Sequence, residues 1–244
     1  MLPMESSSRS KTHRGESIEQ IDRPFERGYV GPYLHEGDTH FDGRLLRGER
    51  SRQHIAEAMI ELIEGGSEKP TVSEIAIEAG VSPRLVFHHF RDVDSIFETV
   101  AGIQAGRHWS TMATIPPAGP VGARIDAVVR QRRKLFVAIG PVRKAVLLRR
   151  GLDPVIEELI RAGAHRLREE LATTFAPELA QAGPAAGVLL DSLDITAGWD
   201  TWQSLRGRGG RSSTAARRIV TYSLQALLMA RPAKGKVDGG LAVA

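Results

Sequence analysis

The chain has 244 residues, with 33 Lys and Arg against 29 Asp and Glu, and 41% of its residues are hydrophobic. This length suits one or two compact domains, and the composition is that of an ordinary globular protein. Because there is no cysteine, disulfide scaffolds, cysteine metal sites and thiol catalysis are excluded. No apolar run approaches the ~20 residues of a membrane span, and the first ten residues lack the pattern of a signal peptide. We expect a cytoplasmic protein without membrane contact and without a cofactor.

The positive charge is concentrated in the C-terminal part of the chain. The net charge is +4 overall, but it is −1 for residues 1–47, −5 for residues 48–100 and +10 for residues 101–244. A basic chain usually indicates a nucleic-acid partner. Here the surplus is uneven, so a nucleic-acid interface has to be argued from a motif and not from the overall charge.

Both ends of the chain lack the pattern of a folded domain. Residues 1–47 contain frequent Gly and Pro with few patterned apolar residues, and residues 232–244 are also rich in Gly. Such composition is typical of segments that do not bury a core. We therefore predict flexible extensions at 1–47 and 232–244, a small domain at 48–98 and a larger domain at 99–231.

Between these ends, apolar residues recur with helical spacing. A first helix, with Ile55, Met59 and Ile63 on one face, ends at Gly65-Gly66. No convincing strand alternation is present, so the predicted fold class is all-α. From about residue 93 onward, Gly and Pro separate further helices, which are predicted at roughly 93–113, 121–139, 141–150, 154–175, 185–205 and 213–230.

Residues 71–90 contain two short helices separated by a tight turn. Thr71 and Glu74 fit a capping box, which starts the first helix. Gly80 stands where a C-terminal glycine ends a helix, and Ser82 followed by Pro83 fits the start of the second. Helix, three-residue turn and helix is the arrangement that presents a second helix to the major groove of DNA.

Side-chain spacing divides the second helix into two faces. Val86 and Phe90 are four residues apart and are predicted to point inward, which leaves Arg84 on the opposite face. Arg84 is the best candidate for reading a base, since its guanidinium can bond both O6 and N7 of guanine. The candidate DNA contacts combine this face, the helix starts and a basic segment before the first helix: Arg44, Arg47, Arg50, Thr71, Ser82, Pro83, Arg84, Leu85, Phe87, His88 and His89.

This stretch resembles the N-terminal domain of the tetracycline-repressor (TetR) family. The matching residues are Ile55-Ala56-Glu57-Ala58, Thr71 through Ser82, and Phe87-His88-His89-Phe90. The resemblance implies a homodimeric, ligand-responsive transcriptional regulator, usually a repressor. Such a regulator binds a roughly palindromic operator in double-stranded DNA and is released by a small-molecule effector.

Two departures from the family pattern weaken the expected contacts to the DNA backbone. The family commonly has Tyr at the position of Phe87 and Lys at that of Val93, and both groups typically contact phosphate. Arg84 and a basic arm entering the minor groove could compensate, although the arm arginines could equally be solvated. The alternative hypothesis is a helical ligand-binding or interaction protein of the same fold, with weakened or lost DNA binding.

Enzyme and metal chemistry have no positive signal in the sequence. There is no Gly-x-Ser-x-Gly elbow, no His-Glu-x-x-His pair and no phosphate-binding loop. His88 and His89 are adjacent on a helix and point about 100° apart, so they do not indicate a metal site. We predict neither catalytic nor metal-binding residues.

In the TetR family the C-terminal domain provides the ligand cavity and the dimer interface. The last two helices carry apolar faces that would form a four-helix bundle with a symmetry mate; the candidate dimer contacts are Leu189, Leu193, Trp202, Ile219, Tyr222 and Leu227. Bulky residues of the central helices are the candidate cavity residues, although each could simply belong to the core: Trp109, Met112, Phe136, Arg143, Leu147, His165, Phe175 and Trp199.

Basic residues cluster on two consecutive predicted helices of this domain. Guanidinium groups can clamp an anion, so an anionic effector such as a carboxylate or an acyl-coenzyme A is one interpretation. A solvated basic surface is the other. The residues concerned are Arg130, Arg132, Arg133, Lys134, Arg143, Lys144, Arg149 and Arg150.

Overall fold

The computed structural model describes residues 43–148 and 154–229, and both described ranges are helical without any strand. This confirms the all-α prediction. The predicted extensions lie outside the described residues, except for 43–47. The helices are α1 (Gly43–Glu64), α2 (Val72–Glu78), α3 (Pro83–His89), α4 (Val93–Trp109), α5 (Val121–Leu147), α6 (Pro154–Thr174), α7 (Ala176–Ala182), α8 (Ala186–Ala197), α9 (Trp199–Arg206) and α10 (Ser213–Met229), with one 3₁₀ turn at Gly183–Ala185.

Helices α1, α2, α3 and the first half of α4 enclose one hydrophobic core. Ile55 and Met59 of α1, Ile75 of α2, Val86 of α3 and Phe97 of α4 are all essentially inaccessible to solvent. These are the apolar positions that recur with a period of 3.6 residues. The short helices α2 and α3 are therefore held by burial against α1 and α4, since seven-residue helices do not persist alone.

Helix α1 begins earlier than the sequence predicts. It starts at Gly43, so Arg47 and Arg50 lie on the helix and are exposed to solvent. The expected flexible arm at these two arginines is corrected to a helical turn. The side chain of Arg44 lies outside the described residues, although its backbone belongs to α1.

Helix α5 is continuous where the sequence predicts a break at Gly140-Pro141. Pro141 has no N–H to donate to the carbonyl of Val137, which removes one helical hydrogen bond. Residues on either side of the proline are buried, including Phe136 and Val142. A Cβ built on Gly140 would lie 3.6 Å from the ring of Trp199. This packing on both sides of the proline outweighs the single lost hydrogen bond.

The C-terminal helices are divided differently from the prediction. Pro177 falls in the first turn of α7, where its missing N–H costs nothing, so it starts a helix instead of ending one. Gly198, in an extended conformation, separates α8 from α9, and a Cβ at this residue would lie 2.9 Å from the carbonyl oxygen of Asp194. The predicted single helix 185–205 is therefore two helices.

A buried ion pair joins α5 to α7. The Arg124 guanidinium donates to both carboxylate oxygens of Glu178, at 2.8 and 2.6 Å, and also to the backbone carbonyl of Thr174. Arg124 and Glu178 side chains are only 7% and 16% exposed. The hydrogen bonds from Arg124 lower the pKa of the Glu178 carboxyl. Arg124 is thus an arginine of this domain with a structural role.

This pair predicts a specific dependence of stability on acid. The folded pKa of Glu178 lies below its unfolded value of about 4.3, so its stabilisation is complete above that value and is lost as the pH falls through the folded pKa. Replacing Glu178 by Gln should lower the free energy of unfolding by about 1.5–3 kcal/mol at pH 7 and flatten the acid limb of stability. Urea unfolding of both proteins between pH 3 and 7 measures the free energy of unfolding and its dependence on pH. The exposed Glu157→Gln variant on α6 should keep the wild-type profile, and an unchanged profile in Glu178→Gln would contradict the assignment.

Candidate nucleic-acid interface and ligand cavity

The capping box predicted at the start of α2 is present. Glu74 N donates to Thr71 Oγ1, and Glu74 Oε2 accepts from both the backbone N–H and the hydroxyl of Thr71, each at 2.8 Å. These hydrogen bonds, chiefly the one from the Thr71 backbone, lower the pKa of Glu74. Both donors of Thr71 are used within the box, so this exposed residue has a capping role, and its contact with DNA stays a prediction.

The turn between α2 and α3 has the geometry that the sequence indicates. Gly80 has a φ of +61°, a left-handed conformation that favours glycine. Ser82 Oγ accepts from Leu85 N at 3.2 Å, and Pro83 occupies the first position of α3. Ser82 and Pro83 are both exposed, so the start of α3 is open to a ligand.

Helix α3 has one buried and one solvent-facing side, as predicted. Val86 and Phe90 are 1% and 2% exposed. Arg84 and His88 are exposed, and Leu85 is half-buried between them. Phe87 is a large apolar side chain with 58% of its surface exposed. The exposed face of α3 therefore presents one guanidinium, one imidazole and one aromatic ring at the surface of the small domain.

Arg52 of α1 holds the C-terminal end of α3, a role that the sequence analysis missed. Its guanidinium donates to the backbone carbonyl of His89 and to Thr99 Oγ1 of α4, and it lies 4.4 Å from the centroid of the Phe90 ring. A cation at a helix C-terminus also interacts favourably with the helix dipole. The available signal was spacing, because Arg52 precedes Ile55 by three residues and shares the buried stripe of α1.

His89 is the less accessible member of the histidine pair. Its side chain is half-buried, and its ring stacks edge-on against that of His88 at 5.1 Å between centroids. Burial lowers the pKa of His89, and the neighbouring His88 and Arg52 add to this. The partly packed His89 is a weaker candidate for phosphate contact than the exposed His88.

A cavity of about 330 Å³ lies between α4, α5, α6 and the α8–α9 junction. Trp109, Phe136 and Trp199 form its aromatic walls, with Phe136 packed edge-on against Trp199 at 5.6 Å between centroids. Arg132 and Arg143 of α5 provide cationic groups on the same wall. The volume falls at the lower end of the range of small-molecule pockets, and the mixture of apolar walls and few polar groups is typical of them.

The structure brings half of the predicted cavity residues together. Trp109, Phe136, Arg143 and Trp199 line the cavity, whereas the other four do not, and the prediction for them is corrected. Phe175 is wholly buried in a separate core, Leu147 is 48% exposed at the end of α5, and Met112 follows the end of α4. His165 lies on the exposed side of α6, with its Nδ1 atom 3.5 Å from Glu169.

The predicted dimer residues also divide between surface and interior. Leu193 and Trp202 are 0% and 6% exposed and belong to the protomer's own core, so their assignment as direct contacts is corrected. Ile219 and Tyr222 are exposed on α10, while Leu189 and Leu227 are half-buried. Further exposed apolar side chains that the sequence analysis did not select lie on the same two helices: Val188, Ile195 and Met229.

Neither metal ligands nor membrane spans are found in the described ranges. Residues 43–148 and 154–229 contain no group of three or more His, Asp or Glu side chains placed to hold a metal ion. None of the helices in these ranges is both long and apolar enough to cross a membrane.

Comparison with known proteins agrees with this geometry. Residues 55–100 match the family model described as bacterial regulatory proteins, tetR family. The matched span runs from the middle of α1 into α4 and contains the whole helix-turn-helix. No curated protein and no solved structure matches the chain. The matched span has the capping, turn and core just described, so residues 55–100 form a helix-turn-helix domain of the type found in bacterial regulatory proteins of the tetR family.

Proposed function

We propose that the protein is a ligand-responsive repressor that acts in the cytoplasm as a homodimer on a roughly palindromic operator. The observation that carries this proposal is that the cavity and the core of the DNA-binding domain share side chains. Val142 and Val146 of α5 and Ile156 of α6 line the cavity, and they also belong to the core of the DNA-binding domain. A ligand that moves these residues acts directly on the packing beneath the recognition helix.

Helix α4 provides a second link between the cavity and the DNA-binding domain. Its first half is buried beneath α1, while Gln104, His108 and Trp109 of its second half line the cavity. Arg107 of α4 also pairs with Glu57 of α1 at 2.8 Å. An effector that binds best when α4 is displaced would shift the population away from the operator-binding arrangement, by a coupling free energy typically of about 1–3 kcal/mol.

The homodimer is supported by the outer faces of α8 and α10. These helices pack against each other within the protomer, yet Tyr222 of α10 and Val188 of α8 are 74% and 64% exposed. Large exposed apolar side chains on two neighbouring helices are typical of an interface. A two-fold axis through this face would build a four-helix bundle and place two α3 helices on successive turns of DNA, or on a multiple of that spacing.

Selection of bound fragments from random duplex DNA tests the proposal most directly. The expected result is a short, roughly palindromic sequence that is enriched at moderate salt, and a complex containing two protomers. If the purified protein enriches no sequence, the repressor proposal fails. A protein that still dimerises and binds small molecules would then be the interaction protein with weakened DNA contact.

On the selected operator, Arg84 should determine sequence preference. Arg84 is exposed on α3, and a bidentate contact to guanine is worth about 1–3 kcal/mol of discrimination. Arg84→Ala should therefore bring operator and single-base variants to similar affinities. Arg47→Ala and Arg50→Ala on α1 should instead weaken binding to all duplexes alike and reduce its salt dependence. Fluorescence anisotropy titrations with operator and variant duplexes measure both effects, and an unchanged preference in Arg84→Ala would contradict base reading by this residue.

A further inference from the structure

We infer that the effector is a small, largely apolar carboxylate whose anionic oxygens accept hydrogen bonds from Arg143, with Arg132 supplying further donors from a more buried position. This inference rests on the proposed function, because it assigns the chemistry of the ligand that the cavity holds. Of the basic residues that the sequence analysis selects, the inference concerns only Arg132 and Arg143. Arg130, Arg133, Lys134 and Lys144 are all exposed to solvent, and none of them lines the cavity.

Arg132 is a buried cation on the cavity wall with hydrogen-bonding groups left over. Its side chain is 3% exposed. Nη2 donates to the carbonyl of Leu167 and forms an ion pair with Glu170 at 2.9 Å. Nε and Nη1 are buried and have no hydrogen-bond partner among the described residues. Buried polar groups are rarely left without a partner, so these N–H groups indicate that acceptor oxygens belong in the adjoining space.

Arg143 is the second donor and carries the less compensated charge. Its guanidinium lies 4.9 Å from the Trp199 ring centroid, and its Nε atom is buried without a hydrogen-bond partner among the described residues. Within those residues, no carboxylate lies within 4 Å of its guanidinium nitrogens. Burial lowers the pKa of Arg143, and the charge of Asp200 only partly opposes this. An anion bound here restores the interactions that a buried cation has lost.

The acidic groups around the cavity do not favour a cationic ligand. Glu170 forms an ion pair with Arg132 and accepts a hydrogen bond from Gln131, while its buried Oε2 atom makes no hydrogen bond among the described residues. Asp194 lies 3.5 Å from Arg168. Asp200 is exposed at the rim. Within the described ranges, the buried side-chain atoms of the lining that lack a hydrogen-bond partner are all guanidinium nitrogens. The guanidinium groups of the cavity wall therefore favour a ligand with hydrogen-bond acceptor oxygens. The aromatic and aliphatic side chains of the same wall favour an apolar ligand body.

The test uses three probes with the same apolar body and different head groups: 5-phenylpentanoate, its methyl ester and 5-phenylpentylamine. Isothermal titration of the full-length protein should give the carboxylate an affinity at least tenfold higher than that of the ester or the amine. Arg143→Gln should abolish this preference. Arg130→Gln, an exposed arginine on the same helix, is the matched control and should retain it.

The outcomes separate this inference from the proposed function. An ester or amine that binds as tightly as the carboxylate, or a carboxylate preference that survives in Arg143→Gln, overturns the inference even if operator binding is intact. Failure of a wider panel of aliphatic and aromatic carboxylates to raise the melting temperature also overturns it. Binding of the carboxylate through Arg143 without any effect on DNA affinity upholds the ligand class and counts against the repressor proposal.

Discussion

Replacing Arg52 by methionine is expected to lower the free energy of unfolding by about 3 kcal/mol and to weaken operator binding. Methionine keeps most of the apolar stem and removes the guanidinium. The loss combines a charged hydrogen bond to the His89 carbonyl, worth about 1.5–3 kcal/mol, with the stacking on the Phe90 ring, worth about 0.5–1 kcal/mol. Because His89 is the last residue of α3, the loosened element is the recognition helix itself.

Arg50→Met provides the matched control on the same helix. Arg50 is exposed two residues before Arg52, so its replacement should change the unfolding free energy by less than about 0.5 kcal/mol. It should still weaken DNA binding if Arg50 contacts phosphate. Urea unfolding and anisotropy titrations of both variants then separate a positioning residue, which affects stability and DNA affinity together, from a direct contact. Equal stability of Arg52→Met and the wild type would contradict the positioning role.

The DNA-binding domain was predictable because its signals are local. Thr71, Gly80, Ser82 and Pro83 each define a cap or a turn through contacts within four residues along the chain. Arg52 was missed because its partners are 37 and 47 residues away. Its place in the apolar stripe of α1 indicates burial, but a periodic pattern does not say which polar group a buried cation meets.

The cavity was only half predictable because its position depends on how distant helices pack. Trp109 and Trp199 were selected for their size, yet glycines on other helices make room for them: Gly163 for Trp109 and Gly140 for Trp199. His165 and Leu147 have cavity-like chemistry but lie on the outer sides of their helices. Which face of a helix meets a void is decided by contacts across more than 50 residues of sequence, and a single sequence does not display them.

The contact between Gly163 and Trp109 yields the second large prediction. Gly163 of α6 faces the indole of Trp109 on α4, and an added Cβ would lie 2.9 Å from Trp109 Cζ2. Trp109 is 8% exposed and lines the cavity, so its ring can make room for a methyl group only by entering the cavity or by shifting α4. Gly163→Ala should therefore cost about 1–3 kcal/mol, although alanine is normally the better helix former.

Gly106→Ala is the control for that intrinsic preference. Gly106 lies inside α4, and nothing is found within 4 Å of a Cβ built there, so alanine should stabilise the protein by about 0.5–1 kcal/mol. The two glycine-to-alanine changes are thus expected to have opposite signs. Thermal unfolding measures them, and a stabilising Gly163→Ala would contradict the close packing of α6 against Trp109.

A double variant tests whether the same contact takes part in the proposed coupling between the cavity and the DNA-binding domain. Phenylalanine has a smaller ring than tryptophan, so Trp109→Phe leaves room for the methyl group added by Gly163→Ala. The double variant should therefore lose less unfolding free energy than the sum of the two single variants, by about 0.5–3 kcal/mol.

Gly163→Ala alone should also alter tryptophan fluorescence and reduce operator affinity in the absence of ligand. The reason is that Trp109 ends α4, the helix whose other end packs beneath α1 in the DNA-binding domain. If Gly163→Ala lowers stability while operator affinity stays unchanged, α4 does not carry the signal, and the coupling must run through Val142 and Val146 of α5.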